Sequence, residues 1–160
     1  MPIASCGFAD DPGQPGSGAV NLVHIGPTLL VRVGFDPGWD PNRVADANLP
    51  TDPRPALVDT GATTSSIDAR LASTLALPLV GQQELGGISG SYTAPSHLAQ
   101  VFVPILQVTI HGLFTAVNLA SGGQPHEVLL GRTFLRNFRM IYEGRTGSVI
   151  LENESHSGSG

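Results

Sequence analysis

The strongest constraint on this chain is the stretch Ala56-Leu57-Val58-Asp59-Thr60-Gly61-Ala62. An apolar run ends there on one carboxylate, one hydroxyl and one glycine, and no further charge follows until Asp68. Short apolar runs closed by turn residues read as buried strands, so Asp59 is placed where a strand leaves the core. A carboxylate at such a point needs hydrogen bonds or a charged partner. Thr60 offers a hydroxyl, and Gly61 lets backbone N–H groups come close to the acid. The bare tripeptide also fits a polar turn ending a strand. The rest of the chain has to decide between turn and site.

With 160 residues, of which 41% are hydrophobic, the chain fits one domain with a real core. Charged residues make up 13%, about half the usual ~25%, which leaves surface that a second copy could cover. The eight basic residues are all arginine, they are dispersed, and the net charge is -5. Nothing clusters to neutralise phosphates, so nucleic acid is not expected as a partner. The lone Cys6 rules out an internal disulfide framework. His24, His97, His111, His126 and His156 lack ligand spacing and read as surface or strand-end residues, so neither metal nor cofactor is expected. No apolar stretch is long enough to span a membrane, and none is expected as a partner. The N-terminus has no basic-then-apolar leader pattern. The expected location is cytoplasmic; a trimmed precursor would have the same sequence.

Taken in order, residues 1–18 read as a flexible arm and Ala19 to Ile25 as a first strand. Leu29, Val31, Val33 and Phe35 share one face of a second strand at period two. Residues 34–55 carry turn chemistry throughout, in Asp36-Pro37-Gly38, Asp40-Pro41 and Asp52-Pro53. A connection of about twenty residues between strands is long for a compact domain. It reads as a surface insertion, or as a cover over a cleft or a dimer contact anchored by Trp39. Ile67, Leu71 and Leu75 then predict a short helix capped by Ser65 or Ser66 and stopped by Pro78. Gly86, Gly87 and Gly90 surround Ile88 and Ser89 between strand-like flanks. That is either an ordinary hairpin or a mobile lid whose apolar tip closes over a ligand. Val128-Leu129-Leu130-Gly131-Arg132 repeats the pattern of an apolar strand running into glycine, and one or two helical turns follow with Phe134 and Phe138 stacked. Met140 to Leu151 reads as a closing hairpin, and 152–160 as a disordered tail.

Four pieces in this order resemble the retroviral-type, single-domain aspartic proteases. They are Leu57 to Ala62, the glycine-rich tip from Leu85 to Gly90, Val128 to Arg132, and the helix that follows. The helix from Ile67 and the closing hairpin look more like cellular members, such as the protease-like domain of DNA-damage-inducible proteins. The likeness covers Val20 to Leu151, within an expected protease domain at 19–151. It implies an all-β fold with one or two short helices, a retropepsin-like closed barrel that is active as a homodimer. It further implies an aspartic endopeptidase acting on extended peptides, with Asp59 as catalytic residue. Thr60, Gly61 and Ala62 would support the loop, and Gly86, Gly87, Ile88, Ser89 and Gly90 would form a substrate-binding flap. Gly131 would pack behind the loop. The chain has one Asp-Thr-Gly, so two copies must face each other and share a proton between two Asp59 carboxylates. Viral members pair an Asp just beyond the tripeptide with the arginine of the second motif. Thr63 and Thr64 stand there instead, leaving the partner of Arg132 open.

Two other classes fit the residues: a catalytically silent peptide-binding or dimerisation module, and a different carboxylate hydrolase such as a glycosidase. The latter needs a second acid in the same chain, for which Asp68 is a poor candidate. Ala62 carries the first expected outcome. Pepsin-like enzymes usually hold Ser or Thr there, whose hydroxyl favours the ionised acid; alanine removes it. Peptide hydrolysis should therefore peak at weakly acidic or neutral pH, and a kcat/KM maximum below about pH 3 would contradict this.

Overall fold

A computed structural model describes residues 3–44 and 46–153. Its centre is a sheet of seven strands: β2 (Thr28–Gly34), β3 (Arg54–Val58), β4 (Ser66–Asp68), β5 (Leu79–Gly87), β6 (Gly90–Val103), β7 (Val108–Val117) and β8 (Val128–Leu130). The spatial order is β2-β3-β8-β4-β7-β6-β5, and β2 also pairs with β6. That last pairing joins Arg32 to Phe102 and Gly34 to Gln100, so six strands close into a barrel and β5 stands outside the ring. Closure leaves those six strands without open edges along their paired lengths. The alternation expected for β2 is present, with Leu29, Val31 and Val33 buried beside Val101, Val103, Val128 and Leu130.

A second sheet lies beside the barrel, in the order β1-β10-β9, from β1 (Ile3–Ser5), β9 (Phe138–Glu143) and β10 (Ser148–Asn153). The expected arm at 1–18 is therefore not loose over its described part. Ala4 and Cys6 are buried, Cys6 N–H donates to Val149 O at 2.9 Å, and Phe8 N–H to Gly147 O at 2.8 Å. Burial pushes the Cys6 thiol up to about 11, so it stays protonated and inert at neutral pH. Gly147 sits at φ +83 with the backbone of Gly18 and Phe8 where a Cβ would go, which lets three segments meet. At the other end, Glu152 and Asn153 belong to β10 rather than to the expected tail. Met1, Pro2, Ala45 and 154–160 lie outside the described residues. The folded unit thus extends past the expected limits of 19 and 151.

Among the described residues there are three short α-helices. The unexpected one is α1 (Ser17–Ile25), where the residues predict a strand. Its start is held from outside the segment: Asp10 accepts N–H bonds from Gly16 and Gly18, at 3.0 and 2.8 Å. Those donors hold the Asp10 carboxyl below its ordinary range. Gly26, at φ +84, ends the helix, donating to Leu22 O. The second helix, α2, is shorter than expected (Ala69–Thr74), because Ile67 is spent in β4. Its cap is Asp68 rather than Ser65 or Ser66. Asp68 is buried and accepts from Leu71, Leu119 and Ala120 N–H groups. The third, α3 (Arg132–Leu135), stops short of Phe138, which begins β9; the rings of Phe134 and Phe138 still lie 4.8 Å apart, tilted at 44° rather than stacked along a helix.

The long connection is ordered by polar anchors. Gln100 is buried and holds both the N–H and the carbonyl of Asp36, at 2.6 and 2.9 Å. Ala47 and Leu49 pack with Phe102 and Trp39 in a small core of their own. The Trp39 ring lies 5.9 Å from that of His111. The loop rests on the outer wall of β6 and β7, and none of its described residues lines the two concavities beside Asp59.

His126, read as a surface or strand-end residue, lies just before β8 and is 1% exposed, with Nε2 2.7 Å from Thr28 Oγ1. Burial depresses its pKa below the ordinary 6.5. The unfolded chain therefore takes up this proton first as pH falls, so the contribution is complete above about pH 6.5 and declines below it. Thermal melts should show a loss of Tm between pH 7.5 and 5.5 that is smaller in His126→Gln. Parallel curves for the two proteins would refute this role.

Candidate active site

Asp59 is the first residue beyond β3. The strand lies parallel to β8, with Ala56, Leu57 and Val58 opposite Val128, Leu129 and Leu130. The ladder runs one step further, because Asp59 N–H donates to Leu130 O at 2.9 Å. The carboxylate is half-buried; Oδ1 accepts the Gly61 N–H at 2.9 Å, as the glycine predicted. Among the described residues no hydrogen bond reaches Oδ2, and the Thr60 hydroxyl has no partner. The loop residues Thr60 and Gly61 are exposed and Ala62 is half-buried.

A second segment supports this loop from behind. Arg132 N–H donates to Ala62 O at 2.8 Å and Thr133 N–H to Thr63 O at 3.0 Å. Gly131 N–H donates to Ser65 Oγ at 3.1 Å. A Cβ on Gly131 would lie 2.5 Å from Thr64 O and 2.9 Å from Ala62 O, so any side chain there would push the two segments apart. The Arg132 side chain continues the clamp: Nη1 donates to Thr60 O and Nη2 to Thr63 Oγ1, both at 2.9 Å. Thr63 thus supplies the partner that the sequence left open. The guanidinium holds a carbonyl and a hydroxyl where an ion pair was the alternative. Ser65, read as a helix cap, is instead part of this support.

Two concavities flank the loop. The larger, about 1090 Å³, is lined by Gly61, Ala62, the β5–β6 hairpin residues Leu85, Gly86 and Tyr92, and Asn118 and Leu119 beyond β7. The smaller, about 380 Å³, contains Asp59 and Thr60 with Pro27, Val58, Met140 and Tyr142. The carboxylate thus opens beside the large cleft rather than into it. Among the described residues lining the smaller concavity, Asp59 is the sole acid. Asp68 is already saturated by three backbone N–H groups elsewhere, which removes it as a second acid.

The hairpin has the expected geometry. Gly87 pairs with Gly90, leaving Ile88 and Ser89 as a two-residue tip. Gly90 lies at φ +117, a conformation that glycine adopts most readily. Ile88 is fully exposed. Gly86 faces open space. The sequence did not single out Pro27, Met140 and Tyr142, which come from three distant segments; no local pattern marks them.

A mostly β fold with a closed barrel and one Asp-Thr-Gly loop clamped to a glycine-ended strand defines an aspartic-protease architecture. A model of the family described as "gag-polyprotein putative aspartyl protease" matches residues 45–137, more than half of the chain, and the chain belongs to that family. Two solved structures are similar. One is EIAV protease complexed with the inhibitor HBY-793, at 20% identity and TM-score 0.44, covering 69% of this chain and 85% of that one. The other is simian foamy virus (mac) protease, solved in solution, at 12% identity and TM-score 0.42, covering 68% and 91% respectively. The comparison with curated proteins returns no match. Among the described residues, no helix is long and apolar enough to cross a membrane.

The clamp can be tested through loop order. Arg132→Ala removes two charge-assisted bonds at an exposed position, together about 1.4 kcal/mol. Amide exchange at Gly61 and Ala62 should speed up about tenfold, with Arg132→Lys in between. Unchanged exchange in Arg132→Ala would show that the backbone bonds suffice.

Proposed function

We propose that the chain is an aspartic endopeptidase that works as a homodimer, each copy contributing Asp59 to a shared acid pair. The observation that carries this is the state of the carboxylate. Its Oδ1 is held by Gly61, and among the described residues its Oδ2 has no partner and its concavity holds no second acid, within a chain of the aspartyl protease family. Only another copy supplies a matching group on a matching loop. Two carboxylates at about 3 Å cannot both ionise and share one proton. The ionised one takes a proton from a water held between them, and the protonated one polarises the peptide carbonyl. No acyl intermediate forms.

The free Thr60 hydroxyl suits a hydrogen bond to the partner's loop across the twofold axis. The β5–β6 hairpin would act as the flap, and the larger cleft would take an extended peptide whose backbone adds to a strand edge. Closing brings the exposed Ile88 onto the bound chain and excludes water. The likeness to cellular members of the group, drawn from α2 and the closing hairpin, belongs to this reading as well.

Digestion of a peptide library by wild type and Asp59→Asn tests it. Wild type should cut beside apolar residues and be blocked by a pepstatin-like inhibitor. Asp59→Asn should lose at least ~10³-fold in kcat/KM, on the scale of removing an essential acid–base group, while keeping its Tm. Folded, dimeric wild type with digests identical to those of the variant would identify a silent peptide-binding or dimerisation module instead.

A further inference from the structure

A third concavity, of about 740 Å³, is set between β7 and α3. It adjoins the large cleft, because Thr64 and Gln83 line both. Thr64 belongs to the segment after the Asp59 loop and Gln83 to β5, so together they form a gateway from one hollow to the other. Both side chains are half-buried, and among the described residues neither polar group has a hydrogen-bond partner. A hydroxyl and a primary amide left open at a passage suit the backbone of a peptide that crosses it.

The charges along this path are divided. Among the described residues, the large cleft is lined by one charged side chain, Glu84, whereas the third concavity is lined by Arg136 and by no acid. Arg136 closes α3, one turn after Arg132. Arg132 spends its guanidinium on Thr60 and Thr63. Arg136 is exposed, and among the described residues its guanidinium holds no carboxylate, carbonyl or hydroxyl. His111 lines the same concavity, and its ring lies 6.4 Å from that of Phe35 and 5.9 Å from that of Trp39. The long connection, although outside the cleft, therefore steadies an imidazole at this concavity. A guanidinium fork matches a carboxylate in both charge and shape. A hollow lined by one sign of charge collects the other.

From this placement, and resting on the endopeptidase reading above, we infer that the third concavity is a remote specificity site in which Arg136 binds an acidic side chain of the substrate. The peptide leaves the large cleft between Thr64 and Gln83 and sets an aspartate or glutamate against Arg136, several residues from the bond that is cut. Arg136 takes no part in the chemistry; it decides which peptides are held.

The test uses peptides that share one cleaved core, with a single glutamate moved outward residue by residue from the scissile bond. Both ends are blocked, so the side chain is the only carboxylate that changes. At one distance, glutamate should raise kcat/KM about fivefold over glutamine, through KM, on the scale of an Arg–carboxylate pair open to solvent. Arg136→Gln should erase that gain while cutting the glutamine peptide as wild type does, and Arg136→Glu should favour lysine at the same position. Arg70→Gln removes an equal charge from α2, outside all three concavities, and should keep the gain. Fluorescence anisotropy of the labelled peptides on Asp59→Asn reads binding without turnover. It should show the same preference, abolished when Arg136→Gln is added. Cleavage by wild type with no position favouring glutamate, or a preference that survives in Arg136→Gln, overturns the remote site and leaves the endopeptidase reading standing. Glutamate peptides bound through Arg136 but cut by no form of the protein keep the site and overturn the endopeptidase. Neither binding nor cleavage overturns both.

Discussion

Everything at the candidate site depends on the backbone contact between 59–65 and 130–133. Asp59 is not held by its own turn alone. Its N–H is taken by Leu130, and the carbonyls of Ala62 and Thr63 are taken by the N–H groups of Arg132 and Thr133. These bonds form between strand ends that the barrel already holds parallel, so little extra chain entropy is lost in making them. The absent side chain of Gly131 is what allows the approach. A loop fixed in this way can present an acid oxygen at the surface without the acid being drawn into the protein.

The same arrangement is consistent with the proposed sharing of one site between two chains. The barrel uses its interior for packing, and its buried carboxylate, Asp68, is consumed in tying α2 to the segment after β7. No second acid is available beside Asp59 among the described residues, and the elements around that acid end in open surface. The low share of charge, 13%, agrees with a molecule that hides part of its exterior in association. No described residue of the 35–53 connection lines the concavities beside Asp59; its anchors, Gln100 and Arg32, fasten it to the barrel's outside wall.

The parts that were legible in the sequence were those written in local patterns. The Asp59 loop, the Gly87–Gly90 tip, the strand into Gly131 and the contact of Phe134 with Phe138 each depend on neighbours within a few residues. The parts that were not legible depend on contacts across the chain. Ser17–Ile25 carries Val and Ile in a stretch that reads as strand, but Asp10 holds its first N–H groups from outside the window. The segment 3–8 becomes ordered only because β10 arrives more than 140 residues later to pair with Ile3–Ser5. The cap fell to Asp68 rather than to Ser65 or Ser66 for a similar reason: capping chemistry is common to all three, and the pairing of β4 with β7 and β8 decided among them. Arg132 had no visible partner because half of what it holds is a backbone carbonyl, which no side-chain pattern encodes.

β6 belongs to two bodies at once. From Ser96 to Val103 it is barrel wall, pairing with β7 and, between Gln100 and Phe102, with β2, while Gly90 to Thr93 are exposed and pair only with β5. The hairpin is therefore a cantilever clamped at one end, not a door on a loop hinge. Its stiffness is set by how far the clamp extends. Lengthening or trimming the free end would retune what the cleft admits while the masonry beneath keeps its shape.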